Sequence, residues 1–208
     1  MVVDQMAMFI ENNVTKFCRL SNLTGDGIDG IVDYGNQNIP SQVIEFEQLY
    51  DEQYGGYRNI PTDKNRITYA SVEVEVGRFY YSFVNLVGAN FIFETGTNIG
   101  YSTAMLAAAL KRCSPTGKIY TIDTGTHEHI FKHSNLDNIE VIVGNSLEYM
   151  QDMNLIFDIL VLDSDHSYYT VINELIKYER QLRVGGYILM HDSLYYDGVG
   201  IAVEQLMM

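Results

Sequence analysis

The stretch FIFETGTNIG, residues 91–100, places a short apolar run directly before a turn that contains two glycines. The run ends in Glu94, and Gly96 and Gly100 follow with three residues between them. An alanine-rich run, AMLAAALKR, comes soon after, so the pattern predicts a strand, a glycine turn and the start of a helix. Glycine permits the backbone angles of such a turn and lets a ligand approach the main chain. The first N–H groups of the new helix would then face that ligand.

Two other interpretations of this turn are a dinucleotide site and a plain structural turn. A dinucleotide-binding fingerprint needs three glycines spaced as G-x-G-x-x-G. When that pattern is aligned on Gly96, its other positions hold Asn98 and Tyr101, so only one of three fits. Glu94 at the strand end suits a cationic or hydroxyl-bearing ligand better than a phosphate. A tight strand-to-helix turn without any ligand is the simpler alternative.

The composition argues against several classes of protein. The chain has 208 residues, enough for one α/β domain and an N-terminal elaboration. Its formal net charge of −14 argues against nucleic acid or an anionic membrane surface as the main partner. No apolar run is long enough to span a membrane, and the acidic N-terminus is not typical of a signal peptide. Two distant cysteines, Cys18 and Cys113, favour a reducing compartment, so we expect a cytoplasmic protein.

The N-terminal third is the least regular part of the sequence. Residues 1–20 carry an incomplete apolar stripe that predicts a short helix. Residues 21–61 are rich in Gly, Asp, Asn and Tyr, which predicts loops with one short helix near residues 42–50. We therefore divide the chain into an irregular or helical arm, residues 1–69, and a domain, residues 70–208. The arm could be a lid over a substrate, an oligomer contact or a loose terminus.

The domain alternates helical and extended patterns. Apolar residues at helical spacing over residues 70–88 predict a core helix before the opening strand. Four more strands are predicted at residues 118–123, 139–143, 157–163 and 187–192. Strands that alternate with helices imply a parallel sheet with right-handed crossovers. Functional groups gather at the carboxyl ends of such strands.

Acidic residues end four of the predicted strands, namely Glu94, Asp123, Asp163 and Asp192. Four carboxylates at one rim of a sheet are unfavourable unless ligands or a cation meet them. Asp123 lies roughly 20 residues beyond the glycine turn, where an acid can bridge the two hydroxyls of a ribose. The alternative role of Asp123 is to cap the next turn of the chain.

The stretches LDSDHSYY, residues 162–169, and MHDS, residues 190–193, indicate a metal site. Asp163 and Asp192 would converge on one spot at the rim, with His191 beside them. Carboxylate oxygens with a supporting imidazole suit Mg²⁺ or another hard divalent ion. Such an ion could hold a substrate hydroxyl and lower its pKa.

The same region offers a general base and a competing explanation. His166 is the candidate base, because an unperturbed imidazole titrates near neutral pH. Asp165 lies near the predicted metal site, but it could instead cap the helix that begins near Ser167. On that explanation the cluster of polar residues serves the helix end and holds no metal.

The form E-x-G-x-x-x-G of the first stretch resembles motif I of class I S-adenosylmethionine-dependent methyltransferases. The pair LDSDHSYY and MHDS resembles metal-dependent O-methyltransferases of the catechol type. It is still more similar to the group with macrocin-type sugar O-methyltransferases and cephalosporin-hydroxylase-like proteins. This resemblance covers roughly residue 70 to the end and implies a Rossmann-like α/β fold, with a mostly parallel sheet and helices on both faces. The family usually adds a C-terminal antiparallel strand pair, which this sequence apparently lacks.

The resemblance also implies which residues bind the cofactor. In that family the motif I acid lies near the methionine amino group, and Asp123 would be the motif II acid that holds the ribose. The dipeptide Asn145-Ser146 matches the position that contacts adenine, although Asn145 could equally be a helix cap. The complete set of predicted cofactor-binding residues is Glu94, Thr95, Gly96, Thr97, Asn98, Gly100, Tyr101, Ser102, Asp123, Thr124, Asn145, Ser146 and Asp163.

Carried over in the same way, Asp163, His191 and Asp192 would be the metal ligands. His166 and Asp163 would be the catalytic residues, with His166 as the base. The sequence departs from the family at His191, where the group often has an acid. It departs again at Ser193, where the catechol type has Asn.

We therefore expect an S-adenosylmethionine-dependent O-methyltransferase that uses a divalent cation, Mg²⁺ in the first instance. Its acceptor would be a hydroxyl of a small molecule, such as a sugar or a natural product. The chain could form a homo-oligomer. One alternative is an NAD-linked oxidoreductase on a Rossmann-type fold. The other is a non-catalytic cofactor-binding or assembly protein.

Overall fold

The computed structural model describes residues 6–11, 14–19, 40–54, 71–125, 129–132, 134–149 and 155–206. In chain order the elements are β1 Met6–Glu11, β2 Val14–Arg19, α1 Ser41–Tyr54, α2 Val74–Val87, β3 Phe91–Thr95, α3 Tyr101–Cys113, β4 Lys118–Asp123, β5 Ile139–Val143, β6 Phe157–Leu162, α4 Tyr168–Tyr178, β7 Leu182–Met190 and α5 Asp197–Leu206, with a short 3-10 helix at Glu179–Gln181 before β7.

The described strands form a seven-stranded sheet in the order β2-β1-β7-β6-β3-β4-β5. Strands β7, β6, β3, β4 and β5 are parallel to one another, as the sequence predicts. The strand order changes direction between β3 and β6. From β3 the chain continues outward to β4 and β5 on one side, and it then returns to form β6 and β7 on the other side. Such a switch point opens a crevice at the carboxyl ends of the strands. The predicted Rossmann-like α/β fold is confirmed.

Alternate residues of the central strands face opposite sides of the sheet. In β3, Ile92 packs with residues of α1, α2 and α3, whereas Phe93 packs with residues of α4 and α5. In β6, Val161 and Leu160 divide between the two faces in the same way. Helices therefore cover both faces, which explains why these strands are apolar without a break. Among the helices that the structure describes, none is long and apolar enough to cross a membrane.

The N-terminal segment departs from the sequence prediction. The short helix expected within residues 1–20 is wrong, because Met6–Glu11 and Val14–Arg19 form an antiparallel hairpin. Strand β1 also pairs antiparallel with β7, with Met6 opposite Met190. The hairpin thus supplies an antiparallel strand pair beside β7, an edge for which the sequence predicts no partner strand. No described strand follows α5. Pairing with a strand so distant in the chain leaves no local signal in the sequence.

Helix α1 confirms the short helix predicted near residues 42–50. Its residue Phe46 joins the core, and its residue Glu47 pairs with Arg78 of α2. Arg78 donates two hydrogen bonds to the Glu47 carboxylate, at 2.7 and 2.6 Å. This bidentate pair joins α1 to the domain. Apart from the hairpin and α1, the arm lies outside the described residues, so its role stays a prediction.

Helix α2 packs against α3 at Gly77, and a side chain there should destabilise the fold. A Cβ on Gly77 would lie 2.7–2.9 Å from three atoms of the Tyr101 side chain, which is fully buried and cannot move aside. Alanine gains up to about 1 kcal/mol of helix propensity over glycine, but overpacking costs about 1–3 kcal/mol. We expect Gly77→Ala to lower the free energy of unfolding by about 1–2 kcal/mol in urea titrations.

The matched control is Gly144→Ala, because the nearest atom to a Cβ at Gly144 is Ile122 Cδ1 at 4.0 Å. We expect this control to change stability little. A Gly77→Ala protein as stable as the unsubstituted chain would contradict the packing described for α2 and α3.

Candidate active site

A cleft of about 580 Å³ opens at the carboxyl ends of the parallel strands. Its volume lies in the range of small-molecule sites. Most of the residues predicted to bind a ligand or metal line it: Gly96, Thr97, Asn98, Ser102, Asp123, Thr124, Asn145, Ser146, Asp163, His166, His191 and Asp192. Four predicted cofactor residues do not line it: Glu94, Thr95, Gly100 and Tyr101.

The glycine turn packs closely against neighbouring segments of the chain. Gly96 has a φ of +88°, and a Cβ on it would lie 2.0 Å from the carbonyl oxygen of Asp163. Its N–H donates to the Ile122 carbonyl at 2.8 Å. Gly100 has a φ of +87°, and a Cβ there would lie 2.3 Å from the Phe131 ring. Both tight packing and the positive φ therefore require glycine at these two positions.

Glu94 is buried and is absent from the residues that line the cleft. Its carboxylate is fully buried and accepts hydrogen bonds from Ser102 at 2.6 Å, Thr103 at 2.5 Å and Thr121 at 2.7 Å. Burial raises its pKa to about 7, although these hydroxyl donors act in the opposite direction. Glu94 therefore holds the first turn of α3, including the cleft residue Ser102, against the sheet.

Asp123 ends β4 and faces the cleft. Its two carboxylate oxygens accept hydrogen bonds from the backbone N–H groups of Asn98 at 2.7 Å and Gly125 at 2.9 Å. Asn98 has a φ of +45°, so the glycine turn bends its N–H toward this acid. A carboxylate oxygen has two lone pairs, and these contacts leave acceptor capacity for a ligand hydroxyl.

Asn145 and Ser146 lie where β5 ends, on the same side of the cleft as Asp123. The Asn145 side-chain oxygen accepts from the backbone N–H of Leu147 at 2.8 Å, as in a cap. The Ser146 carbonyl accepts from Lys177 at 2.7 Å and Tyr178 at 2.5 Å, which anchors this loop to α4. Asn145 thus makes the cap contact and lines the cleft as well.

Two aspartates and two histidines converge at the other end of the cleft. The Nε2 atom of His166 lies 3.2 Å from Asp163 Oδ1 and 3.3 Å from Asp192 Oδ2. The Nδ1 atom of His191 lies 3.3 Å from Asp192 Oδ1 and 3.6 Å from Asp163 Oδ1. One ligand atom from each of the four residues lies within 4.8 Å of the others. Oxygens of two aspartates with an imidazole nitrogen make a donor set that suits a divalent cation.

The charges in this cluster shift the pKa of Asp163, His166 and His191 toward the ionised form of each group. Burial lowers the pKa of His166 and of His191, but the neighbouring carboxylates outweigh it in both cases. The result is a raised pKa for His166 and a pKa of about 12 for His191. Burial raises the pKa of Asp163, yet the hydrogen bonds from the two histidines bring it below its usual value.

Asp165 serves the helix and not the cluster, as the capping alternative predicts. It accepts hydrogen bonds from the Ser167 backbone N–H at 3.1 Å and from the hydroxyls of Ser167 and Thr170. Ser167 is the N-cap of α4 and accepts from the Thr170 N–H at 3.2 Å. In this loop, Asp165 and Ser167 therefore cap the helix, while Asp163 and His166 belong to the cluster.

Three residues near the cluster were missed by the sequence analysis. The Glu73 carboxylate lies 3.0 Å from His191 Nε2. The Tyr196 ring stacks on His166 with 4.2 Å between the ring centroids. A Cβ on Gly198 would lie 2.4 Å from the carbonyl oxygen of His166, so α5 packs directly on that loop. Each of these contacts joins distant parts of the chain, and no local pattern marks it.

The part of the chain that carries this cleft is similar to a methyltransferase domain. Residues 93–193 match the family model Methyltransf_24, described as a methyltransferase domain. The class predicted from the glycine turn is confirmed, and the NAD-linked alternative is not favoured. A search of curated protein sequences gave no significant match.

Solved methyltransferase structures share the fold over most of their length. The methyltransferase PaMTH1 of Podospora anserina, bound to S-adenosylhomocysteine, is 17% identical, with 88% of this chain and 86% of that chain covered and a TM-score of 0.59. The O-methyltransferase of Bacillus cereus, in complex with the same compound, is 22% identical, with coverages of 85% and 83% and a TM-score of 0.56. TomG of Streptomyces achromogenes, an O-methyltransferase involved in tomaymycin synthesis and solved with S-adenosylmethionine, is 17% identical, with coverages of 88% and 85% and a TM-score of 0.58. At these identities the likeness concerns the fold.

The raised pKa of Glu94 predicts a pH-dependent stability. A carboxyl whose pKa rises from 4.5 to about 7 on folding contributes stability that is fully present below pH 4.5 and lost as pH rises through 7. Compared with Glu94→Gln, the unsubstituted protein should therefore lose about 3 kcal/mol of unfolding free energy between about pH 4.5 and pH 8. Urea titrations of both proteins across that range measure the difference.

Glu140→Gln, at an exposed position, is the matched control and should show no such trend. If the difference between the unsubstituted protein and Glu94→Gln stays constant with pH, the Glu94 carboxyl is not neutralised by burial.

Proposed function

We propose that this chain is an S-adenosylmethionine-dependent O-methyltransferase that acts on a hydroxyl of a small molecule and uses a divalent cation. One observation carries the proposal. The glycine turn and Asp123 line the same cleft as the cluster of Asp163, His166, His191 and Asp192. Methyl transfer requires the methyl donor and the activated hydroxyl to be held next to each other, which a shared cleft permits.

The cofactor would lie along the rim from α3 to β5. Ser102 and the N–H groups at the start of α3 suit the amino-acid end of the cofactor, since that end carries a carboxylate. Asp123 suits the ribose hydroxyls, and the Asn145 amide suits the adenine amine. When bound, this cofactor supplies a methyl group on a positively charged sulfur.

Asp163 and Asp192, with His191, would hold the cation. Their charges and donor atoms support a hard divalent ion, with Mg²⁺ as the first expectation. A bound divalent cation supplies a Lewis acid that lowers the pKa of a coordinated hydroxyl. The side chains of Asp163 and Asp192 would keep that hydroxyl at their own end of the cleft, next to the bound cofactor.

His166 would accept the hydroxyl proton at Nε2, which faces the two aspartates and would be released from them when their oxygens bind the cation. The acceptor oxygen then forms the new bond to carbon as the sulfur–carbon bond of the donor breaks. Stacking on Tyr196 fixes the plane of the His166 ring, so its Nε2 stays directed into the cleft. The carboxylates raise the pKa of His166, which makes its neutral form a stronger base.

The acceptor is proposed to be a hydroxylated small molecule, such as a sugar or a natural product. The net charge of −14 favours this over nucleic acid or an anionic membrane surface. A cytoplasmic location and a homo-oligomer stay predictions. A non-catalytic protein that only binds the cofactor is the remaining alternative, and methyl transfer to any acceptor would reject it.

Cofactor binding provides the first test of this proposal. We expect S-adenosylhomocysteine to bind at micromolar concentration in calorimetry, and NAD⁺ not to bind. Asp123→Ala should weaken that binding about 10–100-fold, because the hydrogen-bond partner of the ribose hydroxyls is lost. Asp137→Ala, which removes an exposed acid elsewhere, should bind normally. Preferential binding of NAD⁺ would contradict the proposal.

The role of His166 is tested by its removal. With an acceptor found among hydroxylated small molecules, we expect His166→Gln to lower kcat about 10²–10⁴-fold, the usual contribution of a general base. S-adenosylhomocysteine affinity should stay within a factor of a few, since His166 does not serve the cofactor end. Full activity of His166→Gln would show that another group accepts the proton.

A further inference from the structure

Glu73 occupies the N-cap position of α2, yet its side chain does not cap that helix. The N-cap position favours Ser, Thr, Asp or Asn, whose short side chains reach the first free N–H groups. The Glu73 side chain makes no such hydrogen bond, and its backbone is extended at φ −62° and ψ 155°. Its carboxylate instead contacts His191, which lies 118 residues further along the chain. The helix therefore does not explain why an acid stands at this position.

His191 is held between Glu73 on one side and the aspartates on the other. Its Nε2 lies 3.0 Å from a Glu73 oxygen. Its Nδ1 points at Asp163 and Asp192, at 3.6 and 3.3 Å. The His191 side chain is only 10% exposed, so its ring has little room to turn. Each nitrogen thus has a single direction, with Nε2 toward Glu73 and Nδ1 toward the cluster.

We propose that Glu73 is a positioning residue for metal binding: it accepts a hydrogen bond from the Nε2–H of His191 and thereby presents Nδ1, which loses its own proton when the ion binds, to a divalent cation between Asp163 and Asp192. This inference rests on the cation in the proposed function. A histidine that ligates a metal usually donates its other N–H to a carboxylate, which fixes the tautomer and makes the ligand more basic. Glu73 provides that carboxylate from a different part of the chain.

The position of Glu73 also connects the proposed cation site to the wall of the cleft. Ser71 and Val72, the two residues before Glu73, line the cleft. Val72 is 2% exposed and packs in the core beside α2. The segment that walls the cleft is therefore the segment that orients His191.

The test is the affinity of the whole, metal-free chain for Mn²⁺, measured by calorimetry, with the visible spectrum of bound Co²⁺ as a second readout. We expect Glu73→Gln to weaken Mn²⁺ binding about 10-fold and Glu73→Ala up to about 100-fold, the range known for outer partners of metal-bound histidines. The Co²⁺ spectrum should shift in both variants. Glu75→Gln, in the first turn of the same helix, is the matched control and should leave both readouts unchanged.

A double-substitution cycle separates positioning from a general effect on the fold. Because Glu73 acts through His191, the protein with both Glu73→Ala and His191→Ala should bind Mn²⁺ no more weakly than His191→Ala alone. Additive losses would overturn the inference, as would unchanged Mn²⁺ affinity in a folded Glu73→Gln protein. Failure of the unsubstituted chain to bind Mn²⁺ and Co²⁺ would overturn it too.

The same samples titrated with S-adenosylhomocysteine keep the two proposals apart. Cofactor binding without Mn²⁺ binding rejects the role of Glu73 and leaves a cation-independent methyltransferase. Mn²⁺ binding that depends on Glu73, without cofactor binding, supports the role of Glu73 and contradicts the proposed function.

Discussion

The close approach of the glycine turn to the backbone of Asp163 is the constraint on which the site depends. Any side chain at Gly96 would collide with the Asp163 carbonyl, and the Gly96 N–H is fixed on β4 through Ile122. The glycine turn, which would lie beside the cofactor, and the loop that carries Asp163 are therefore held together. A methyl donor on one and a hydroxyl on the other could be aligned without a large movement of either.

Beneath this contact, buried carboxylates hold the loops in place. Glu94 accepts hydrogen bonds from hydroxyls of α3 and β4. Glu174 of α4 accepts from Thr95 at 3.1 Å and from Ser164 at 2.6 Å, which joins the ends of β3 and β6. Burial raises the pKa of Glu174 as it does that of Glu94. Buried acids are tolerated only when they are hydrogen-bonded, so the hydroxyl residues around them belong to the architecture of the site.

The sequence revealed those parts of the structure that depend on local patterns. The apolar runs, the glycine turn and the helical spacing of residues 70–88 each identify their own element, and the alternation of strands with helices implies a parallel sheet. The acids at the strand ends could be assigned to one rim by the same reasoning. This is why Asp123, Asp163 and Asp192 were found in the cleft.

The remaining parts depend on contacts between distant segments. Strands β1 and β2 pair at the edge that β7 provides, and their own sequence is too weakly periodic to predict this. The burial of Glu94 could not be predicted, because a strand-end acid carries no sign of its burial in the sequence. Glu73 is part of a helical pattern, and only the fold brings it to His191.

The central claim is that a methyl-donor site and a cation site share one cleft. A crystal structure of the chain with S-adenosylhomocysteine and Mn²⁺, with the ion located by its anomalous signal, tests it directly. We predict the ribose at Asp123 and the anomalous peak among Asp163, His191 and Asp192, on the side of the cleft that the sulfur faces. A cofactor bound elsewhere, or an ion bound away from that cluster, would contradict the account.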